Sequence, residues 1–151
     1  MRPGSLFKFM KLELRHLNIS AFAAVCAAVA YTSLMPIPEN PSQGMKVVLA
    51  KDYLFHLFAY FAVAFTAMLA FVKRPVVFME RVNLWLLCVL AGSVLEILQA
   101  TVPGVNRSCM VSDFVSNSAG AALGAFLTPA ALLSAREKSK DNGTKQLAET
   151  V

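Results

Sequence analysis

Residues 82–102 read VNLWLLCVLAGSVLEILQATV. The run carries one charge, Glu96, and is otherwise almost wholly apolar. A helix crosses the hydrocarbon core of a bilayer with about 20 mostly apolar residues, so the run reads as a membrane span. A carboxylate inside such a span costs several kcal/mol at the bilayer centre, which marks Glu96 as a candidate functional position.

Three further runs flank it. Residues 17–38 and 114–135 carry no charge, and residues 53–72 carry none apart from the titratable His56. Apolar residues make up 57% of the 151-residue chain and charged residues 15%. A soluble domain is closer to half apolar and a quarter charged, so there are too few charges here to coat a soluble surface. The composition excludes intrinsic disorder for the bulk of the chain. Three cysteines are few and odd in number, which argues against a disulfide scaffold. The net charge of +5 does not point to nucleic acid, because the basic residues are scattered between apolar runs. Only helices and closed barrels satisfy their backbone in lipid. The expected fold is therefore all-α, a polytopic membrane four-helix bundle. The expected organisation is a basic leader at 1–16, a four-helix domain at 17–135 and a flexible tail at 136–151.

The first run also has features of a cleaved signal peptide: basic residues before it, and Ala28 and Ala30 near its end. Its length and extended leader favour a retained span. The loop charges set an orientation. Arg2, Lys8, Lys11 and Arg15 precede the first run. Lys73, Arg74 and Arg81 lie between the second and third, and Arg136, Lys138, Lys140 and Lys145 follow the fourth. These are eleven of the 14 basic residues. Lys46 and Lys51 lie in the first loop and Arg107 in the third. Positive charge stays in the cytoplasm, so both termini and the second loop are expected on the cytoplasmic side. Pro36, Pro38 and Pro41, then Pro75, then Pro103-Gly104 break the chain between runs. Short loops imply antiparallel neighbours.

With that orientation, the polar residues of the spans gather on the extracytoplasmic side. Asp52 and His56 are four apart at the start of the second span. Glu96 and Gln99 are three apart near the end of the third, and Asp113 and Asn117 four apart at the start of the fourth. Each spacing puts its pair on one helix face. At a rise of about 1.5 Å per residue, His56 and Asn117 each lie roughly 6 Å deeper than their partners, and Glu96 roughly 9 Å below Val102. Arg107 precedes the last span. Catalytic candidates are His56 and Glu96; binding candidates are Asp52, Gln99, Arg107, Asp113 and Asn117.

A purely structural account also exists. Asp52 and Asp113 suit helix N-termini by the dipole alone. His56 suits a packing hydrogen bond, and Arg107 suits neutralisation of Glu96 or Asp113. Ser116, Gly120 and Gly124 form a small-residue packing stripe that Asp113 and Asn117 continue. Gly92 and Glu96 pair similarly. Phe55, Phe58, Phe61, Phe65 and Phe71 read as lipid or core packing, with Tyr60 on the His56 face. Cys26 and Cys88 read as buried thiols, Cys109 as an external one, and Trp85 as an interfacial anchor.

The ordered set Asp52-x-x-x-His56, Phe58-Ala59-Tyr60, Glu96-Ile97-Leu98-Gln99, Pro103-Gly104, Arg107, Asp113, Asn117, Gly120 and Gly124 resembles the VanZ-like membrane protein family. Pro36-Ile37-Pro38-Glu39 fits it as well, and the resemblance runs from about Ser33 to Leu127. The chain departs from the family pattern in two places. Tyr53 stands where a lysine often follows the aspartate, and Val105-Asn106 separates Pro-Gly from the arginine. The family is named for a bacterial protein linked to low-level teicoplanin resistance. The resemblance implies a polytopic protein in an envelope context and defines no reaction.

Three functions are open at this point. The first is binding of an anionic or lipid-linked envelope component, such as a cell-wall or polysaccharide precursor, with Arg107 gripping a phosphate or carboxylate. The second is a membrane-face hydrolase or transferase with Glu96 or His56 as general base. Ser108 and Ser112 lack a convincing triad spacing. The third is a non-catalytic accessory role in envelope polysaccharide assembly. Membrane lipid is an expected partner, nucleic acid is not, and a homo-oligomer is compatible. No cofactor is expected, and no metal, since one histidine with scattered carboxylates lacks zinc-site spacing. Four short spans without an inverted repeat do not suit a transporter.

Overall fold

The computed structural model describes residues 3–38, 40, 42–44, 52–71, 77–107 and 110–128, with side chains omitted for 3–12 and 14. Lys46, Lys51, Lys73, Arg74, Pro75, Cys109 and the tail lie outside the described residues. Four long helices follow in order: α1 (Pro3–Leu34), α2 (Asp52–Phe71), α3 (Phe78–Thr101) and α4 (Val111–Leu127). No strand occurs among the described residues.

Prolines explain where three of the helices stop. The residue before a proline is pushed out of the helical region. Val102, before Pro103, has ψ 119°, and Thr128, before Pro129, has ψ 116°. Met35, before Pro36, is already outside α1. The fourth helix is therefore shorter and earlier than its uncharged run: it begins at Val111 rather than 114 and ends at Leu127, short of 135. At the other end of the chain, α1 continues back through the basic leader to Pro3.

Arg15–Leu34, Asp52–Phe71 and Phe78–Thr101 are long and apolar enough to cross a membrane. α4, at 17 residues, sits at the short end of the spanning range. Leu86, Leu87, Leu90, Val94 and Ile97 of α3 are exposed, as are Phe55 and Phe58 of α2. So much contiguous apolar surface would be a liability in water, and it is what lipid contact requires. The protein is an all-helical membrane protein.

Small residues hold the centre. Tyr60, Ala64, Cys88, Ala121 and Ala125 form the buried core, with Val29, Val63, Leu84 and Trp85 packed against it. The tightest pair is α2 with α4. A Cβ on Gly120 would press into the Leu57 carbonyl, with the carbonyl carbon at 2.9 Å. A Cβ on Gly124 would meet Ala64 Cβ and Phe65 N, each at 2.9 Å. Only glycine lets the backbones come this close. Phe61 and Phe65 stack at 5.8 Å between centroids, while Phe55, Phe58 and Phe71 face outward.

The two ends of the bundle are fastened differently. At the end where α2 and α4 begin and α3 finishes, the segment after α1 docks on the α3–α4 connection. Ile37 N donates to Val105 O (3.1 Å), and Asn106 Nδ2 donates to Ile37 O (3.0 Å). Gly104 at φ 87° and Asn106 at φ 54° turn the chain there, and Val105 is buried beneath it. At the opposite end the Arg81 guanidinium donates to the carbonyls of Ala125, Phe126 (3.1 Å) and Thr128 (3.2 Å), closing the C-terminus of α4. Trp85 Nε1 donates to Ser118 O at 3.1 Å, so this indole is a helix-to-helix tie.

Candidate functional site

The i, i+4 rule places one buried row on each helix. On α2 the buried positions include His56, Tyr60 and Ala64; on α3, Cys88, Gly92, Glu96 and Gln99; on α4, Asp113, Asn117, Gly120 and Gly124. Because α3 runs opposite to α2 and α4, the late residue Glu96 meets the early residues His56, Asp113 and Asn117. Gly92 makes the approach possible: a Cβ there would lie 3.1 Å from the Tyr60 ring and 3.2 Å from Asn117 Nδ2.

Four charged or polar side chains pack into this junction almost out of contact with solvent. Relative exposure is 6% for His56, 2% for Glu96, 6% for Asp113 and 1% for Asn117. His56 Nδ1 donates toward Asn117 Oδ1 at 3.0 Å and lies 3.2 Å from Glu96 Oε1. Asn117 Nδ2 donates to the same Glu96 Oε1 at 3.0 Å. The result is a closed triangle with one member from each of α2, α3 and α4. On the other side of the imidazole, Nε2 lies 3.7 Å from Asp52 Oδ2. Asp113 Oδ1 accepts from Ser112 Oγ at 3.2 Å, and one ligand-type atom each from His56, Glu96 and Asp113 lies within 4.8 Å of the others.

Asp52 and Arg107 form the more open rim. Arg107 NH1 donates to Asp52 Oδ2 at 3.3 Å, so this arginine pairs with Asp52 rather than with Glu96 or Asp113. Asp52 opens α2 and Asp113 lies in the first turn of α4, so the helix dipole favours both as well. Three buried atoms have no hydrogen-bond partner among the described residues: Glu96 Oε2, Tyr60 Oη and Arg107 Nε. Such orphans are uncommon in folded proteins and call for an account.

The structure brings Asp52, His56, Glu96, Arg107, Asp113 and Asn117 into one linked cluster. Gln99 is buried at the same end but turns to α1, donating from Nε2 to Ser33 O at 2.9 Å. Ser116 is half-buried beside the Gly120 and Gly124 stripe. Cys88 is buried and Cys26 half-buried. One residue takes a role the sequence did not mark: Arg81 reads there as loop charge and serves as a helix cap. Tyr60 lies one turn from His56 on the expected face, its buried hydroxyl without a partner among the described residues.

Chemically, the cluster offers an imidazole held between acceptors, an underpaired buried carboxylate, a second carboxylate and an arginine at the rim. Fold and cluster together define a small polytopic helical membrane protein with ionisable side chains buried at one end of its bundle. A VanZ/LLP1 family profile matches residues 6–133, and the chain belongs to that family. Neither the curated proteins nor the solved structures yield a match.

Proposed function

We propose that this envelope membrane protein binds an anionic or lipid-linked envelope component at the cluster, on the extracytoplasmic side of a bacterial inner membrane, with both termini in the cytoplasm. The observation that carries the reading is Arg107. Among the described residues it is the one Lys or Arg at this end of the bundle. It is held by Asp52 through NH1 while its Nε has no partner among the described residues. A guanidinium fixed by one bond and underused in its others is a ready fork for phosphate or carboxylate. The loop charges support the orientation, which sets the rim at headgroup depth.

The direct test compares the protein in lipid nanodiscs with its Arg107→Ala variant for retention of a purified lipid-linked cell-wall precursor. The expected loss is tenfold or more. Equal, weak retention by both proteins overturns the reading.

The arrangement around His56 favours a second reading, a hydrolase or transferase at the membrane face. An imidazole oriented by Asp52 on one nitrogen and facing Glu96 on the other suits a general base. Turnover of a lipid-linked substrate that survives both Glu96→Gln and His56→Ala excludes it.

A further inference from the structure

We propose that His56, Glu96 and Asp113 bind a single divalent transition-metal ion, of the Zn2+ or Mn2+ class, at the junction of α2, α3 and α4. The inference goes beyond the ligand reading and does not rest on it, since its ligands are His56, Glu96 and Asp113 and not Arg107.

Geometry comes first. One donor atom from each of the three residues lies within 4.8 Å of the others. Bonds of about 2.0–2.2 Å put two donors on one ion at most about 4.4 Å apart. Three donors around one ion lie closer still, at most about 3.8 Å apart, so closing the set takes up to about an ångström of side-chain movement. Asn117 Oδ1 stands beside His56 Nδ1 as a further oxygen donor.

Charge points the same way. Glu96 and Asp113 bring two buried carboxylates. The one described arginine nearby is engaged by Asp52, and a ligating imidazole is neutral. A divalent ion balances that sum. The independent observation is Glu96 Oε2: the residue is 98% buried by its 2% exposure, and this oxygen has no partner among the described residues. A carboxylate oxygen in an apolar interior needs a cation or a donor.

The surroundings match the support that metal sites require. A ligating histidine commonly gives its second ring N–H to a carboxylate. Here Nε2 faces Asp52 while Nδ1 faces the cluster. Asn117 Nδ2 fixes Glu96, and with the ion bound the His56 proton sits on Nε2, facing Asp52, so that Nδ1 exchanges its bond to Asn117 Oδ1 for the ion. One imidazole among oxygens suits Mn2+, Fe2+ or Zn2+ better than the all-oxygen preference of Ca2+ or the thiolate preference of Cu+.

The test uses the full chain in detergent, stripped with chelator and titrated by calorimetry with Zn2+ or Mn2+ alone. One equivalent is expected, with Glu96→Gln and Asp113→Asn each at least tenfold weaker while helix content is retained. No stoichiometric binding by the wild type, or binding by both variants as tight as wild type, overturns the proposal. A second measurement is independent of the variants' folding. Wild-type protein loaded with one equivalent of Co2+ should show histidine ligation by paramagnetically shifted imidazole resonances. A strong thiolate-to-cobalt band, marking the cysteines as the ligands, overturns it.

Discussion

Asn117 of α4 is the clasp between Glu96 of α3 and His56 of α2. Its Nδ2 donates to Glu96 Oε1 at 3.0 Å while its Oδ1 accepts from His56 Nδ1 at 3.0 Å. One amide, 1% exposed, thereby ties three helices that share no local sequence. The demand is chemical: Glu96 presents acceptors, His56 Nδ1 presents a proton, and only a side chain with both functions answers both.

Removing that amide should be costly. Asn117→Leu leaves the shape roughly filled but strips Glu96 of a donor inside an apolar bundle. Loss of a partner to a buried charged group costs about 1–3 kcal/mol or more. The expected outcome is a clear drop in thermal midpoint in detergent, larger than for Asn106→Ala, whose amide lies at the exposed surface.

The α2–α4 contact makes a steric prediction. Gly120→Ala places its Cβ against the Leu57 backbone, which cannot yield as a flexible side chain would. The helices must separate, at a cost above the roughly 1–3 kcal/mol of ordinary overpacking. Gly44→Ala is the control, because no described atom lies within 4 Å of its added methyl. Gly120→Ala should show rapid proteolysis of the solubilised protein and Gly44→Ala should behave as wild type.

Arg81 should matter for the end of α4 and not for the cluster. Arg81→Ala frees the carbonyls of Ala125, Phe126 and Thr128. A charged donor's hydrogen bonds contribute about 1.5–3 kcal/mol. Amide exchange should quicken over the last turn of α4 while exchange around His56 stays unchanged. Arg81→Lys should restore only part of the protection, because an ammonium cannot reproduce the planar fork.

Orientation is open to chemical labelling. Cys109 falls between α3 and α4 in the chain, whereas Cys88 is buried and Cys26 half-buried. An impermeant thiol reagent applied to spheroplasts should label a single cysteine, lost in Cys109→Ser. Labelling only after lysis of the inner membrane inverts the topology.

Much of the cluster was legible before any coordinates. Asp52 and His56, Glu96 and Gln99, and Asp113 and Asn117 declare their shared faces by spacing alone. Antiparallel connection then puts all three pairs at one end. The choice of partners was not legible. The sequence offered Arg107 either Glu96 or Asp113, and it pairs with Asp52 instead. Gln99 shares a buried face with Glu96 yet bonds the Ser33 carbonyl of α1. Spacing reports the direction in which a side chain leaves its helix, but a partner depends on the rotation of the neighbouring helix about its own axis.

The linear chain by itself determined that this is a helical membrane protein. Helices and closed barrels alone satisfy the backbone in lipid, uncharged runs of about 20 residues match the length of a spanning helix rather than a barrel strand, and prolines at 36, 103 and 129 mark the stops. Only the tertiary structure decided that Gly120 and Gly124 bring α2 and α4 close enough for His56, Glu96, Asp113 and Asn117 to become one electrostatic unit. The reason is distance: these interactions fade within a few ångströms, and helix–helix separation is set by which small residues face each other.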